Sequence, residues 1–206
     1  DLDAKGKDSV RNKVVDITRR TNVNFVNMRK DKVGAKGAPK PWDVENFDFT
    51  YAYSEIYRQN VDLEYDRRKQ IRGGVGYNFI NNPKPVRPLQ KVKFLQSKSL
   101  SLIKDFNFYY MPKMFAFRTD MNRQYNERLL RNKSNALIIL EPTYTKTWDW
   151  NRLYDLKFDL AQSLKLEYQA NANAYIDEPP GRIDRSRSDY EAYRDTIWDE
   201  IRNFGS

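Results

Sequence analysis

From Phe47 the chain alternates between aromatic and polar positions: Phe47, Phe49, Tyr51, Tyr53 and Tyr57 fall on one side of an extended strand, with Asp48, Thr50, Ala52 and Ser54 on the other. A period of two with one aromatic side predicts a β-strand. After the polar stretch Arg58-Gln59-Asn60 the alternation resumes, with Val61, Leu63 and Tyr65 against Asp62, Glu64 and Asp66. The two runs are therefore expected to fold back as a first long antiparallel hairpin over 46–80, in which Ile71, Val75, Tyr77 and Phe79 keep the same parity. Arg67 and Lys69 also share it and sit awkwardly on an apolar side. Three explanations are open: the strand leaves the apolar environment there, a bulge resets its phase, or the side chains snorkel. The first is the one adopted.

The longest signal lies between Tyr144 and Ala174. Trp148, Trp150, Tyr154, Leu156, Phe158 and Leu160 share one parity against Asp149, Asn151, Asp155, Lys157 and Asp159. Past Ala161-Gln162-Ser163 the pattern continues as Leu164, Leu166, Tyr168, Ala170, Ala172 and Ala174 against Lys165, Glu167, Gln169, Asn171 and Asn173. This predicts a second long hairpin over 143–176, apolar on one face and densely polar on the other. Between the hairpins, Pro83, Pro85 and Pro88 mark 81–99 as an extended connection outside any central sheet. Over 100–142 two further alternating runs appear, one at Phe106, Phe108 and Tyr110. The other is Phe115, Phe117, Thr119 and Met121 opposite Ala116, Arg118, Asp120 and Asn122, followed by a loop at Asn132 to Asn135.

The two ends of the chain differ from its middle. Residues 1–45 form a basic, loop-rich segment with a short strand around Asn22 to Lys30 and a Gly/Pro-broken loop from Val33 to Pro41. In 177–206 a Pro179-Pro180-Gly181 loop precedes Tyr190, Tyr193, Ile197 and Ile201, which follow helical spacing. Ser188 with Glu191 suggests a capping box, so one amphipathic helix is expected from Asp189 to Asn203. Asp189, Glu191, Asp195, Asp199 and Glu200 give it an acidic outer face, which suits docking or loop capping outside hydrocarbon better than insertion beside anionic lipid.

Composition narrows the chemistry. The 206 residues contain no Cys and no His, which removes disulfides, thiolate zinc sites, cysteine nucleophiles and the usual general base. Hydrophobic content is 39% and mean hydropathy is −0.89. The longest aliphatic run is Ala136 to Leu140, far short of the roughly 18 residues of a spanning helix. Barrel strands escape that test, because averaging over two faces hides their apolar side. A net charge of +9 fits nucleic acid, anionic lipid or acidic surfaces alike, and an aromatic fraction of 14% suits a sheet with interfacial girdles. The chain opens at Asp1 without initiator Met or signal peptide, and is expected to be a piece of something longer.

Alternation alone also fits a soluble β-sandwich. Two features favour a barrel: arms longer than the usual ~5–6 residues of a globular strand, and polar faces charged along their length; each arm of the second hairpin also has at least the ~9–11 residues a spanning strand needs. The stretch Arg72-Gly73-Gly74-Val75-Gly76-Tyr77-Asn78-Phe79 superficially resembles an RNA-stacking strand, but its companion strand and βαββαβ setting are missing. Carboxylate pairs for hydrolysis can be drawn from Asp155, Asp159, Asp177 and Glu178, yet the first two are more simply water-facing strand residues. No catalytic, metal-ligating or cofactor-binding residue is assigned, and no enzymatic activity is expected.

Several separated segments carry a family resemblance: Pro41-Trp42-Asp43-Val44-Glu45-Asn46-Phe47, Arg72 to Asn78, Ile103-Lys104-Asp105-Phe106-Asn107-Phe108, Arg152-Leu153-Tyr154-Asp155-Leu156-Lys157-Phe158-Asp159-Leu160 and Ile176-Asp177-Glu178-Pro179-Pro180-Gly181. Together and in this order, from about Arg19 to the C-terminus, they resemble the SprA/Sov family of channels of type IX secretion and gliding motility. The resemblance implies a location in the cell outer membrane and an all-β fold of long antiparallel hairpins forming part of a very large transmembrane β-barrel, with a short C-terminal amphipathic helix. It further implies a wide, laterally opening translocon that passes folded cargo, with outer-membrane lipid, secreted cargo proteins and channel-associated plug and shuttle proteins as partners, and no nucleic acid. On that reading Phe47, Phe49, Tyr51, Tyr53, Tyr154, Leu156, Phe158, Leu160, Leu164, Leu166 and Tyr168 face lipid, while Asp155, Lys157, Asp159, Lys165 and Glu167 face a water-filled lumen. The alternative is a soluble basic β-domain that binds nucleic acid or another polyanion through aromatic and Lys/Arg side chains.

Overall fold

A computed structural model describes residues 15–31, 34, 39–90, 105–133, 138, 140–182 and 185–205. Six strands follow one another in space as they do in sequence: β1 (Ile17–Met28), β2 (Phe47–Gln59), β3 (Leu63–Ile80), β4 (Met114–Leu130), β5 (Thr143–Ala161) and β6 (Leu164–Tyr175). Every neighbouring pair is antiparallel. Among the described residues one α-helix, α1 (Tyr190–Arg202), follows β6, and a single 3-10 turn (Val44–Asn46) leads into β2. The central strands run to 17–19 residues, about three times the usual ~5–6 of a globular strand.

Local chemistry explains the reversals. Between β2 and β3 the Asn60 carboxamide oxygen accepts from the backbone N–H of Asp62 at 2.9 Å and Leu63 at 2.8 Å, an Asx-type turn that closes the first hairpin. At the tip of β5 and β6 the Gln162 N–H donates to the Asn107 side chain at 2.8 Å, which ties the loop before β4 to the second hairpin. The register of β2 with β3 runs unbroken from Phe47↔Tyr77 to Arg58↔Asp66, so no bulge lies at Arg67 or Lys69. Irregularities fall at the margins, between Phe25 and Met28, Leu63 and Tyr65, and Asp159 and Ala161.

The sheet is a single layer. Among the described residues only Phe79, Ala174 and Ile176 are buried apolar side chains, far fewer than a two-layer domain encloses. The outer strands β1 and β6 do not pair with each other, so the described sheet is open. Among the described residues the segment after β6 folds over part of the aromatic face, and the Pro41 carbonyl reaches the Tyr77 hydroxyl on that face at 2.7 Å.

Three expectations need correction. The run Phe106, Phe108 and Tyr110 forms no strand; Phe108 makes one isolated bridge with Val86, and Pro88, two residues from Val86, has no N–H to extend that ladder. The first strand is longer than expected and begins at Ile17, since pairing with β2 recruits Arg19, Arg20 and Thr21 despite their polarity. The Ser188–Glu191 capping box does not form: Asp189 is the N-cap residue and makes no side-chain cap. Its carboxylate instead accepts from Arg187 at 2.8 and 2.6 Å, and that guanidinium holds it below the usual carboxylate range. Parts of the expected loops, Val33 and 35–38 and residues 134–135, lie outside the described residues, as do Ile103 and Lys104.

Candidate functional site

Register converts the alternation into two continuous faces. Odd positions of β2, β3 and β4 align with even positions of β5 and β6, giving rows that cross the sheet: Phe79, Phe115, Leu156 and Tyr168; then Phe47, Tyr77, Phe117, Tyr154 and Ala170; then Phe25, Tyr51, Gly73, Met121, Trp150 and Ala174. Rings meet along these rows, Phe47 with Tyr77 at 5.0 Å and Phe117 with Tyr154 at 5.1 Å, and between neighbouring rows, Tyr77 with Phe115 at 5.7 Å. All eleven apolar positions named from the sequence belong to this side except Leu160, which sits at the register shift beside the β5–β6 turn. Phe49, Tyr51, Leu160, Leu164, Leu166 and Tyr168 are exposed, and Phe47, Tyr53, Tyr154, Leu156 and Phe158 half-buried.

The same face changes character toward the opposite end. Two rows, Glu55, Lys69, Tyr125 and Lys146 followed by Arg19, Tyr57, Arg67, Glu127 and Tyr144, are polar throughout. Arg67 and Lys69 lie here, both against one oxygen of Glu55 at 3.7 and 3.9 Å. Their parity is thus genuine, and they occupy the polar end of a strand that outruns the apolar band. Glu127 is buried and accepts from the hydroxyls of Tyr65 at 2.9 Å and Tyr125 at 3.2 Å.

Arg152 was missed by the sequence reading, although it stands in parity between Trp150 and Tyr154. It lies on the apolar face, where its guanidinium stacks at 4.4 Å over Trp150 and 5.2 Å over Phe204 and donates to the Phe204 carbonyl at 3.1 Å. Phe204 also stacks on Trp150 at 5.9 Å. The tail beyond α1 therefore covers a cation that the alternation alone would have left open among aromatics.

The stretch between β6 and α1 is pinned by Glu178. Arg123 grips both its carboxylate oxygens, Tyr193 donates to it at 2.7 Å, and Lys146 lies at 4.0 Å while donating to the Pro179 carbonyl at 2.7 Å. Burial pushes the Glu178 carboxyl up, but the hydrogen bonds from Arg123 and Tyr193 outweigh it and hold the group below its ordinary value. The Tyr193 hydroxyl is pushed up, first by burial and then by Glu178.

The opposite face is polar and internally hydrogen-bonded. Arg118 bridges Asp120 at 2.7 Å and Asp48 at 3.3 Å, Gln70 donates to Asn122 at 2.8 Å, and Ser54 donates to Asn22 at 2.7 Å. The five polar positions named from the sequence, Asp155, Lys157, Asp159, Lys165 and Glu167, all lie on this side. They differ in access. Lys165 and Glu167 are exposed, whereas Asp159 is only 8% exposed and paired with Lys113 at 2.9 Å, so it is not the open water-facing group expected of it. The loop before β4 brings Lys113 there, which no local pattern signals. An open groove of about 650 Å³ runs over this face, lined by Asp48, Gly76, Arg118, Leu153, Asp155 and Gln169 among others.

Three of the four candidate hydrolytic carboxylates have separate partners: Asp155 accepts from Gln169 at 3.4 Å, Asp159 pairs with Lys113, and Glu178 is held by Arg123. Among the described residues no cluster of three or more acidic side chains is placed to hold a metal, and no helix is long and apolar enough to cross a membrane. Neither the family models nor the curated proteins contain a match to this chain.

Proposed function

We propose that this chain is a structural stretch of the wall of an outer-membrane protein-conducting channel, of the type IX secretion and gliding-motility kind that its sequence resembles. One observation carries the reading: six long antiparallel strands form a single layer whose aromatic face is open and whose other face is charged and hydrogen-bonded within itself. A water-soluble domain covers such a face with a second layer; a barrel wall leaves it to lipid. From Trp148 to Phe158, β5 covers about 33 Å at ~3.3 Å per residue. At a tilt of ~40° that is about 25 Å of height, the dimension of a barrel's apolar band.

The two ends of that band behave as interfaces. Trp148 and Trp150 take the girdle position at one end, and the charged outer side of α1, with Arg194, Asp195, Asp199 and Arg202, lies on the headgroup or water side of them. Arg152 reaches toward the same end to meet the Phe204 carbonyl, as a snorkelling cation does. The groove over the polar face lines the water-filled interior in this reading. The wall role is non-catalytic, since each acidic side chain of the groove has its own local partner.

Thiol labelling tests the assignment directly, because the chain has no native Cys. Single Cys at 157, 165 and 167 should react with a water-soluble maleimide in intact membranes at least about tenfold faster than Cys at 156, 158 and 166, since opposite faces of one strand meet opposite solvents. Equal labelling of both sets would instead identify a water-exposed sheet, and with it the polyanion-binding alternative.

A further inference from the structure

We infer that the polar end of the apolar face holds a binding site for the phosphate of an anionic lipid headgroup, centred on Arg67, Lys69 and Arg182. This inference rests on the wall assignment and deepens it. Two adjoining pockets share Arg67: one of about 180 Å³ lined by Lys69, Ile71, Arg123, Tyr125, Glu127 and Arg182, and one of about 500 Å³ lined by Arg19, Glu55 and Tyr57 among others. Both open on the face that carries the exposed aromatics.

Charge in these pockets is not balanced. Arg123 is satisfied by Glu178, and Glu127 by two tyrosine hydroxyls, so each has a place in the fold already. Arg67 and Lys69 share a single oxygen of Glu55 at the long distances of 3.7 and 3.9 Å, while Tyr53 donates to the other oxygen at 2.7 Å. The Arg67 Nε is buried and makes no hydrogen bond. Among the described residues neither Arg19 nor Arg182 has an ion-pair partner. Arg19, Arg67, Lys69 and Arg182 thus stand against Glu55 and Glu127, leaving cationic charge in excess and one enclosed donor unused. A phosphate oxygen supplies what is missing, because guanidinium forks match its geometry.

The choice of a lipid over a free anion follows from what lies beside the pockets. One row further along the strands come Val23, Tyr53 and Ile71, then Phe25 and Tyr51, then Phe49 and Val75. Phe25, Phe49 and Tyr51 are 51%, 45% and 42% exposed, an apolar surface that acyl chains of a headgroup held at Arg67 would cover. Tyr53 and Tyr57 stand at the boundary, where amphipathic rings favour the headgroup level.

The test uses the full-length protein in a neutral detergent, titrated with phosphatidylglycerol or phosphatidylcholine and read by native mass spectrometry. Phosphatidylglycerol should bind at least about fivefold more tightly, and Lys69→Gln and Arg182→Gln should each weaken it by about fivefold, the effect of one cation near an anionic headgroup. Arg182→Lys, which keeps the charge but loses the fork, should weaken binding less than Arg182→Gln does; Arg72→Gln, on the opposite face of β3, should leave it unchanged and controls for folding. Equal affinity for the two lipids, or an Arg72→Gln loss as large as the others, overturns the site. Displacement of phosphatidylglycerol by an equal concentration of inorganic phosphate assigns the pocket to a free anion and overturns the lipid commitment. Thiol labelling that still separates the two faces while the lipids bind equally would remove the headgroup site alone and leave the wall assignment standing.

Discussion

Glu178 is enclosed to 2% side-chain exposure and still carries its charge, because Arg123, Tyr193 and Lys146 surround it with donors. A carboxyl held below its ordinary value, here near 4.5, contributes stability that is fully present above that value and is lost as pH falls through the folded-state value. Hydrogen-exchange protection of the α1 amides should therefore persist from pH 7 down to the ordinary carboxyl value near 4.5 and fall away as the pH drops below it. Glu178→Gln should remove much of that protection already at pH 7, by about 1–3 kcal/mol, as expected for deleting the charged acceptor of a partly buried pair. Protection unchanged by both pH and substitution would mean that the tail is held by Phe204 and Trp150 alone. At this scale the sequence was least legible. Glu178 looked like a loop acid beside two prolines, and its partner Arg123 is remote in the chain and adjacent only after β4 and β5 have paired. Asp159 misled for the same reason, since Lys113 reaches it from an irregular loop. Arg152 was passed over, although its even parity between Trp150 and Tyr154 was a signal that could have placed it on the apolar face.

In β3 the glycines illustrate how one element serves two faces. A Cβ on Gly76 would lie 2.0 Å from the Asp48 carboxylate, and one on Gly74 2.4 Å from that of Asp120, whereas nothing lies within 4 Å of a Cβ on Gly73. Gly74 and Gly76 leave room on the polar face for Asp48, Arg118 and Asp120 to lie across the strand; Gly73 points to the open apolar face. The resemblance of this stretch to an RNA-stacking strand thus has a different physical origin, a cross-strand ion network that needs a flat floor. Gly73→Ala should be neutral or stabilising by up to about 1 kcal/mol, since strand glycine carries an entropic cost. Gly76→Ala should cost about 1–3 kcal/mol by forcing Asp48 off Arg118. Denaturant midpoints of the two variants check the contrast, and equal midpoints would mean that Asp48 swings aside without loss.

For the whole molecule, stability depends on what covers the aromatic face, because the sheet encloses so few apolar side chains of its own. If lipid is that cover, Tyr154→Arg, near the middle of the span from Trp148 to Phe158, should reduce membrane-assembled protein in proportion to a cost of about 2–4 kcal/mol. Glu167→Gln, at an exposed position of the polar face, should leave assembly within about 0.5 kcal/mol of the parent. Heat-resistant, protease-protected protein in isolated outer membranes is the readout. Equal loss in both variants would show that the two faces meet the same environment.

Periodicity by itself misplaced the start of β1 and offered a strand at Phe106 to Tyr110 that does not form. It determined β2, β3, β5 and β6, both long hairpins, the face of every named position but Leu160, the tail helix and the awkward placement of Arg67 and Lys69. These are local properties: in an extended chain neighbouring side chains must point to opposite sides, whatever the strand pairs with. Only the tertiary structure decided that β4 joins the two hairpins into one sheet and that the apolar face ends in two polar rows. It also decided that Phe204 covers Arg152, Glu178 pins the tail, and Arg67, Lys69 and Arg182 converge. Each of those depends on cross-strand register and on loop paths that bring distant residues within 3–4 Å. Alternation carries no information on either, since a shift of two residues preserves every face and changes every partner.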